Sequence, residues 1–142
     1  MTQLLSVVDI SKRFRGLVAV DKASFALDEG DIFAVIGPNG AGKTTLFNMI
    51  AGMLAPDEGT ITFCGQRIDG MPADAVCRLG IGRTFQIVRP FPSLSVEDNV
   101  TIGALLHRSD VGAARSYARD VLAKLDLFDK RAVTASALTL PN

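Results

Sequence analysis

The spacing of apolar and polar positions changes once along this chain, near residue 95. Before that point, apolar residues come in short runs broken by Gly, Pro and Asp. Residues 4–10 and 24–27 read as strands, joined through a basic, turn-like stretch, Lys12-Arg13-Phe14-Arg15-Gly16. A tight turn at 28–31 leads into D-I-F-A-V-I at 31–36, an apolar run without alternation. Such a run predicts a strand buried on both faces of a parallel sheet. A helix is predicted from Thr44 to about Met53, a turn at 55–59, a strand at 60–63 and a hairpin-like turn at Cys64-Gly65-Gln66. Pro72, at a first helical turn, opens a short helix to Leu79, and a strand follows at 81–86. From Ser95 the spacing is helical. Ser95 is an N-cap with Glu97 and Asp98 in the first turn, and Ser95-x-x-Asp98 approximates a capping box. That helix runs to about His107. A second helix runs from about Gly112 to Leu125, with a core-forming stripe of Ala114, Tyr117, Ala118, Val121, Leu122 and Leu125.

The candidate chemistry lies between the predicted strand at 31–36 and the helix after it. Gly37, Pro38, Asn39, Gly40, Ala41, Gly42, Lys43, Thr44 and Thr45 fit G-x-x-x-x-G-K-[ST], the phosphate-binding P-loop. A triphosphate needs many hydrogen-bond donors. Backbone N–H groups supply them where glycines let the chain wrap inward, and the following helix N-terminus adds more. In this reading Lys43 reaches the β- and γ-phosphates, the Thr44 hydroxyl ligates Mg²⁺, and Thr45 adds a donor to the α-phosphate.

Composition narrows this little. Of 142 residues, 48% are apolar, enough for a sizeable core; 15 basic residues balance 15 acidic ones. Zero net charge gives no footprint for nucleic acid, so no nucleic-acid partner is expected. No apolar run approaches the roughly 18 residues of a membrane span, and no basic n-region precedes the first apolar residues, so no signal peptide is expected. Cys64 and Cys77 lack metal-ligand spacing and read as reduced packing residues.

The order of motifs resembles the nucleotide-binding domain of ABC transporters over nearly the whole chain. Residues 37–45 match that family's form of the P-loop. Arg83-Thr84-Phe85-Gln86 is similar to its Q-loop, and Ser95-Val96-Glu97-Asp98-Asn99-Val100 to the segment opening its helical subdomain. Together the R-F-x-G-L-x-A-V and G-I-x-R-T-F-Q forms look most like the ATPases of branched-chain amino acid importers. The resemblance implies an α/β P-loop NTPase of ABC type, with an antiparallel β subdomain, a RecA-like core and the start of a helical subdomain. It divides the chain into 1–94, the β subdomain and partial core, and 95–142, helical and ending near the signature motif. It implies ATP and Mg²⁺ as cofactors. Phe14 would stack on adenine, with Val20 near the ring. Gln86 would ligate Mg²⁺ or orient the attacking water, so that Lys43 and Gln86 are the catalytic candidates and Thr44 and Gln86 the metal candidates. Arg89, Phe91 and Pro92 fall where the family meets its membrane subunit, although a small local core explains them equally well. The implied partners are a second ATP-binding subunit, identical or not, and transmembrane permease subunits. The implied location is peripheral, on the cytoplasmic face of the membrane.

The chain also departs from the family. Where L-S-G-G-Q is expected stands Leu138-Thr139-Leu140-Pro141-Asn142. Either this signature is degenerate, its proline lacking an N–H donor, or the register differs. No run of four apolar residues followed by Asp-Glu occurs, so the Walker B aspartate and the catalytic glutamate are missing. The expectation is an N-terminal part of an ATPase: active at full length, inactive alone, marginally stable, and with residues 32–36 exposed. Competing readings are a non-catalytic nucleotide-binding fragment and a soluble non-transport ABC ATPase. A small P-loop kinase or GTPase fits less well, since N-K-x-D is absent.

Overall fold

Strands β1 (Gln3–Phe14) and β2 (Leu17–Asp28) form a long antiparallel hairpin, closed at Arg15-Gly16. Its register slips at several points between Val7 and Arg13, where Asp9 and, opposite, Lys22 adopt positive φ. Such slips bend and twist a long ladder. On the other edge β1 pairs with β3 (Glu58–Phe63), which pairs with the short β4 (Gln66–Arg67), giving a sheet in the order β2-β1-β3-β4, antiparallel throughout. Gly59 is required where β3 meets β1, because a Cβ there would stand 2.5 Å from the Val8 and Asp9 carbonyl oxygens. The computed structural model describes residues 3–138, which fall by packing into two units divided after Arg83.

The first unit has its core under this sheet. Val7, Ile10 and Ile61 cluster with Leu46, Met49 and Ile50 of α1 (Lys43–Ile50) and Val76 of α2 (Ala73–Arg78). Helix α1 ends earlier than Met53, because Gly52 turns the chain with a φ of 70° against Met71 and Ala73. Pro72 is the N-cap of α2 rather than part of its first turn.

Two predicted strands do not form. Residues 31–36 and 81–86 are irregular and pair with no strand among the described residues. Ile32 and Ile36 are 102% and 91% exposed. Phe33 stacks its ring on Phe25 at 4.9 Å, and Val35 packs against the core of the unit. Strand propensity reflects packing against neighbours on both sides and both faces. None of the four antiparallel strands offers residues 31–36 such a neighbour.

In the second unit, α3 (Val96–Ala104) and α4 (Val111–Lys124) pack through Ala114, Ala118 and Leu122. Ser95 caps α3, its hydroxyl accepting the Asp98 N–H. The capping box is altered: the Asp98 carboxylate accepts a hydrogen bond from the Ser95 hydroxyl, at 2.6 Å, rather than from the Ser95 N–H. Helix α3 stops short of His107, and α4 begins one residue before the predicted Gly112, capped by Asp110. Tyr117 and Leu125 face outward, 46% and 60% exposed. The Arg108 guanidinium lies 4.4 Å over the Tyr117 ring, a cation–π contact that suits a half-exposed tyrosine better than a core one. Glu97, 7% exposed, receives Arg119 from α4 through three contacts of 3.1–3.2 Å and Arg115 at 3.6 Å.

Candidate functional site

The P-loop is placed by a close approach of two backbones. Gly42, the N-cap of α1, has φ 87° and ψ 1°. A Cβ on it would lie 2.0 Å from the Ala19 carbonyl oxygen and 3.2 Å from a Val20 methyl. The left-handed φ and the packing against β2 each require glycine. Val20, itself buried, is thereby brought against Gly42. A groove of about 380 Å³ runs along this junction between Val18, Val20 and Asp21 on one side and Ile36, Gly42 and Lys43 on the other.

The amides where this loop enters α1 lie open in the way an anion site needs. The first intrahelical bond of α1 runs from Leu46 N–H to Gly42 C=O, so the Lys43, Thr44 and Thr45 amides lie ahead of it. No side chain caps the helix and no acid sits in its first turn. The positive end of the helix dipole therefore carries no neutralising group of its own. Lys43 arches back over the loop, its Nζ donating to the carbonyls of Gly37 at 2.6 Å and Pro38 at 2.7 Å. The ammonium is thus held at the loop by weak carbonyl acceptors rather than by a carboxylate. A phosphate oxygen is a stronger acceptor for it. Pro38, Asn39, Gly40, Ala41 and Thr44 are exposed, and Thr45 is half-buried. These residues fit a polyphosphate: permissive glycines, clustered amides, one ammonium and a hydroxyl at Thr44 of the kind that ligates Mg²⁺.

Phe14 ends β1 at the tip of the hairpin, 45% exposed, with Lys12 Nζ 5.9 Å from its ring centroid. Phe14, Val20 and residues 37–45 all belong to the first unit. Gln86 belongs to the second, exposed in an irregular stretch. Arg83 anchors the start of that motif on α1, donating to Asn48 Oδ1 and to Met53 Sδ at 3.4 Å. In the second unit Asn99 staples the neighbouring loop to α3. Its side chain accepts from Phe91 N–H at 2.8 Å and donates to the carbonyls of Phe91 at 3.1 Å and Ser95 at 2.9 Å. Phe91 is 55% exposed, so it forms no local core. The signature residues 139–142 lie outside the described part of the chain. Sequence reasoning missed Ala19, whose carbonyl marks the close approach, and Asn48. Neither residue type signals such a role.

The sequence profile of the family described as ABC transporter matches residues 20–140. The chain belongs to that family. Among its relatives, the high-affinity branched-chain amino acid transport ATP-binding protein LivG of Salmonella typhimurium is 44% identical over 99 residues, 70% of this chain and 39% of LivG. BraF of Pseudomonas aeruginosa, described in the same terms, is 38% identical over 104 residues, 73% of this chain and 41% of BraF. The fold is that of solved ATP-binding cassettes. The cassette of an ABC transporter in its ADP conformation superposes with a TM-score of 0.80 at 30% identity, over 98% of this chain and 60% of that one. The matched region thus spans about 39–41% of the length of these curated relatives. The described residues therefore have the fold of part of an ABC-type cassette, its antiparallel sheet included. No helix among the described residues is long and apolar enough to cross a membrane.

Proposed function

We propose that this chain is part of an ATP-binding subunit that energises an ABC importer for branched-chain amino acids. The uncapped junction of residues 37–45 with α1, held against Ala19, carries the nucleotide part of this reading. The substrate part rests on the 44% identity to LivG. Mg·ATP would be held by backbone amides of the loop, those of Lys43, Thr44 and Thr45 among them, by Lys43 on the terminal phosphates and by the Thr44 hydroxyl on the metal. Phe14 would stack on the purine, with Val20 at its edge. Gln86 would contribute a neutral amide toward the metal or the water. When bound, ATP supplies the energy of its phosphoanhydride bond; the chain supplies positioning. The working assembly pairs two such subunits with transmembrane permease subunits, peripherally on the cytoplasmic face, with residues 1–94 and 95–142 as the subdomain partition.

A second reading is favoured by one observation: no run of four apolar residues followed by Asp-Glu occurs in this sequence. Alone, the chain offers no carboxylate in that context to polarise water. We propose that it binds Mg·ATP without turning it over.

Calorimetric titration of the 142-residue chain with Mg·ATP tests the first part, with Lys43→Ala as comparison. Binding weakened about 10- to 100-fold by the substitution is expected, the range for losing a charge-assisted bond. Equal binding by both proteins would refute the site. Uptake of labelled leucine in cells lacking the gene tests the second part, and undiminished uptake would refute the assigned substrate class. Phosphate release by the purified chain above that of Lys43→Ala would refute the inactive reading.

A further inference from the structure

Beyond Ser11, which faces Glu58, β1 has no partner in β3. The chain nevertheless continues as strand to Phe14. What replaces the missing edge is one side chain. The Asp57 carboxylate accepts the Arg13 N–H at 2.8 Å through Oδ2 and the Lys12 ammonium at 2.6 Å through Oδ1, while its own N–H donates to Ser11 C=O at 2.9 Å. Asp57 is thus bonded at three consecutive residues, the last of them next to Phe14. The ammonium it holds is the one standing 5.9 Å from the Phe14 ring centroid. Lys12 is 13% exposed at its side chain, so this is an ordered cation rather than a solvated one.

We infer that Asp57 is a positioning residue for the purine: it fixes the end of β1 and keeps Lys12 at the Phe14 ring, so that the ring is presented to the base in one orientation. The hydrogen bond from Lys12 and then that from the Arg13 amide lower the Asp57 pKa, consistent with a carboxylate that stays charged in this role. Asp57 reaches the nucleotide only through Phe14, so the inference rests on the stacking reading above. Its effect must therefore appear in the base-dependent part of affinity and not in the phosphate-dependent part.

The two parts separate experimentally. Mg·ATP and magnesium tripolyphosphate are titrated into the full chain, and the dissociation constant of tripolyphosphate divided by that of Mg·ATP measures what the base adds. Phe14→Ala is expected to lower that ratio about tenfold, within the range for losing one base–aromatic stack. Asp57→Ala is expected to lower it about three- to tenfold, up to that same limit, with tripolyphosphate affinity unchanged. Asp57→Asn, which keeps an oxygen for the Arg13 amide, retains more of the ratio than Asp57→Ala. In the Phe14→Ala background, Asp57→Ala adds nothing. Unchanged tripolyphosphate binding also reports that each variant has kept its P-loop. A ratio unmoved by Asp57→Ala while Phe14→Ala lowers it overturns this inference alone. So does an equal loss for both ligands, or an Asp57→Ala effect that persists without Phe14. A ratio unmoved by Phe14→Ala overturns the stacking reading itself.

Discussion

Gly42 presses its α-carbon against the Ala19 carbonyl so closely that an added methyl would stand 2.0 Å from the oxygen. The obstacle is backbone, not a flexible side chain, and Gly42 also sits at φ 87°. Gly42→Ala therefore combines a clash with a left-handed residue, for a cost of ~2 kcal/mol or more. Urea unfolding of the first unit and Mg·ATP titration should both register it. Wild-type stability with wild-type affinity would contradict the packing described.

Glu97 binds two arginines of α4 while almost fully buried. Arg115 and Arg119 are about half exposed at their side chains, so water screens part of the attraction. Glu97→Ala should lower the stability of the second unit by about 1–2 kcal/mol, less than for a fully buried pair. Arg119→Ala in the same background should then add little. Additive losses would mean that the two residues act independently.

Asp69 accepts from Arg67 and from the Ile61 amide, and these contacts hold its pKa below the ordinary 3.8, the Arg67 bond contributing most. A carboxyl depressed on folding adds stability above its unfolded value, and that stability disappears as pH falls through the lower folded value. The first unit should lose stability below about pH 4, and Asp69→Asn should flatten that slope. An unchanged acid slope in the variant would exclude Asp69 as its source.

Ile32 and Ile36 expose nearly their whole side chains. Replacing both with Lys should leave unfolding free energy within ~0.5 kcal/mol, as for other exposed positions. It should also raise the monomeric fraction in light scattering, because an unpaired apolar segment is an association site. A drop in stability would show that these side chains contribute to the folded unit.

The parts of the fold legible in the sequence were those set by local rules. Ser95 and its acidic first turn announced α3, and the spacing of Ala114, Ala118 and Leu122 announced the buried face of α4. The loop at 37–45 announced itself through residue types that few other structures need. What stayed hidden depends on partners distant in sequence. A continuous apolar run at 31–36 encodes burial but not what provides it. Nothing in the Ala19 or Asp57 residue types says that one would touch Gly42 and the other would complete the edge of β1.

The four strands of the sheet lie between Gln3 and Arg67. A ribosome delivers residues from the N-terminus, and units fold as they emerge. The ladder therefore has all its strands before the sequence of α3 has been translated. Phe33, which stacks on Phe25 in the folded unit, and the P-loop that follows it are likewise synthesised ahead of every residue of the second unit.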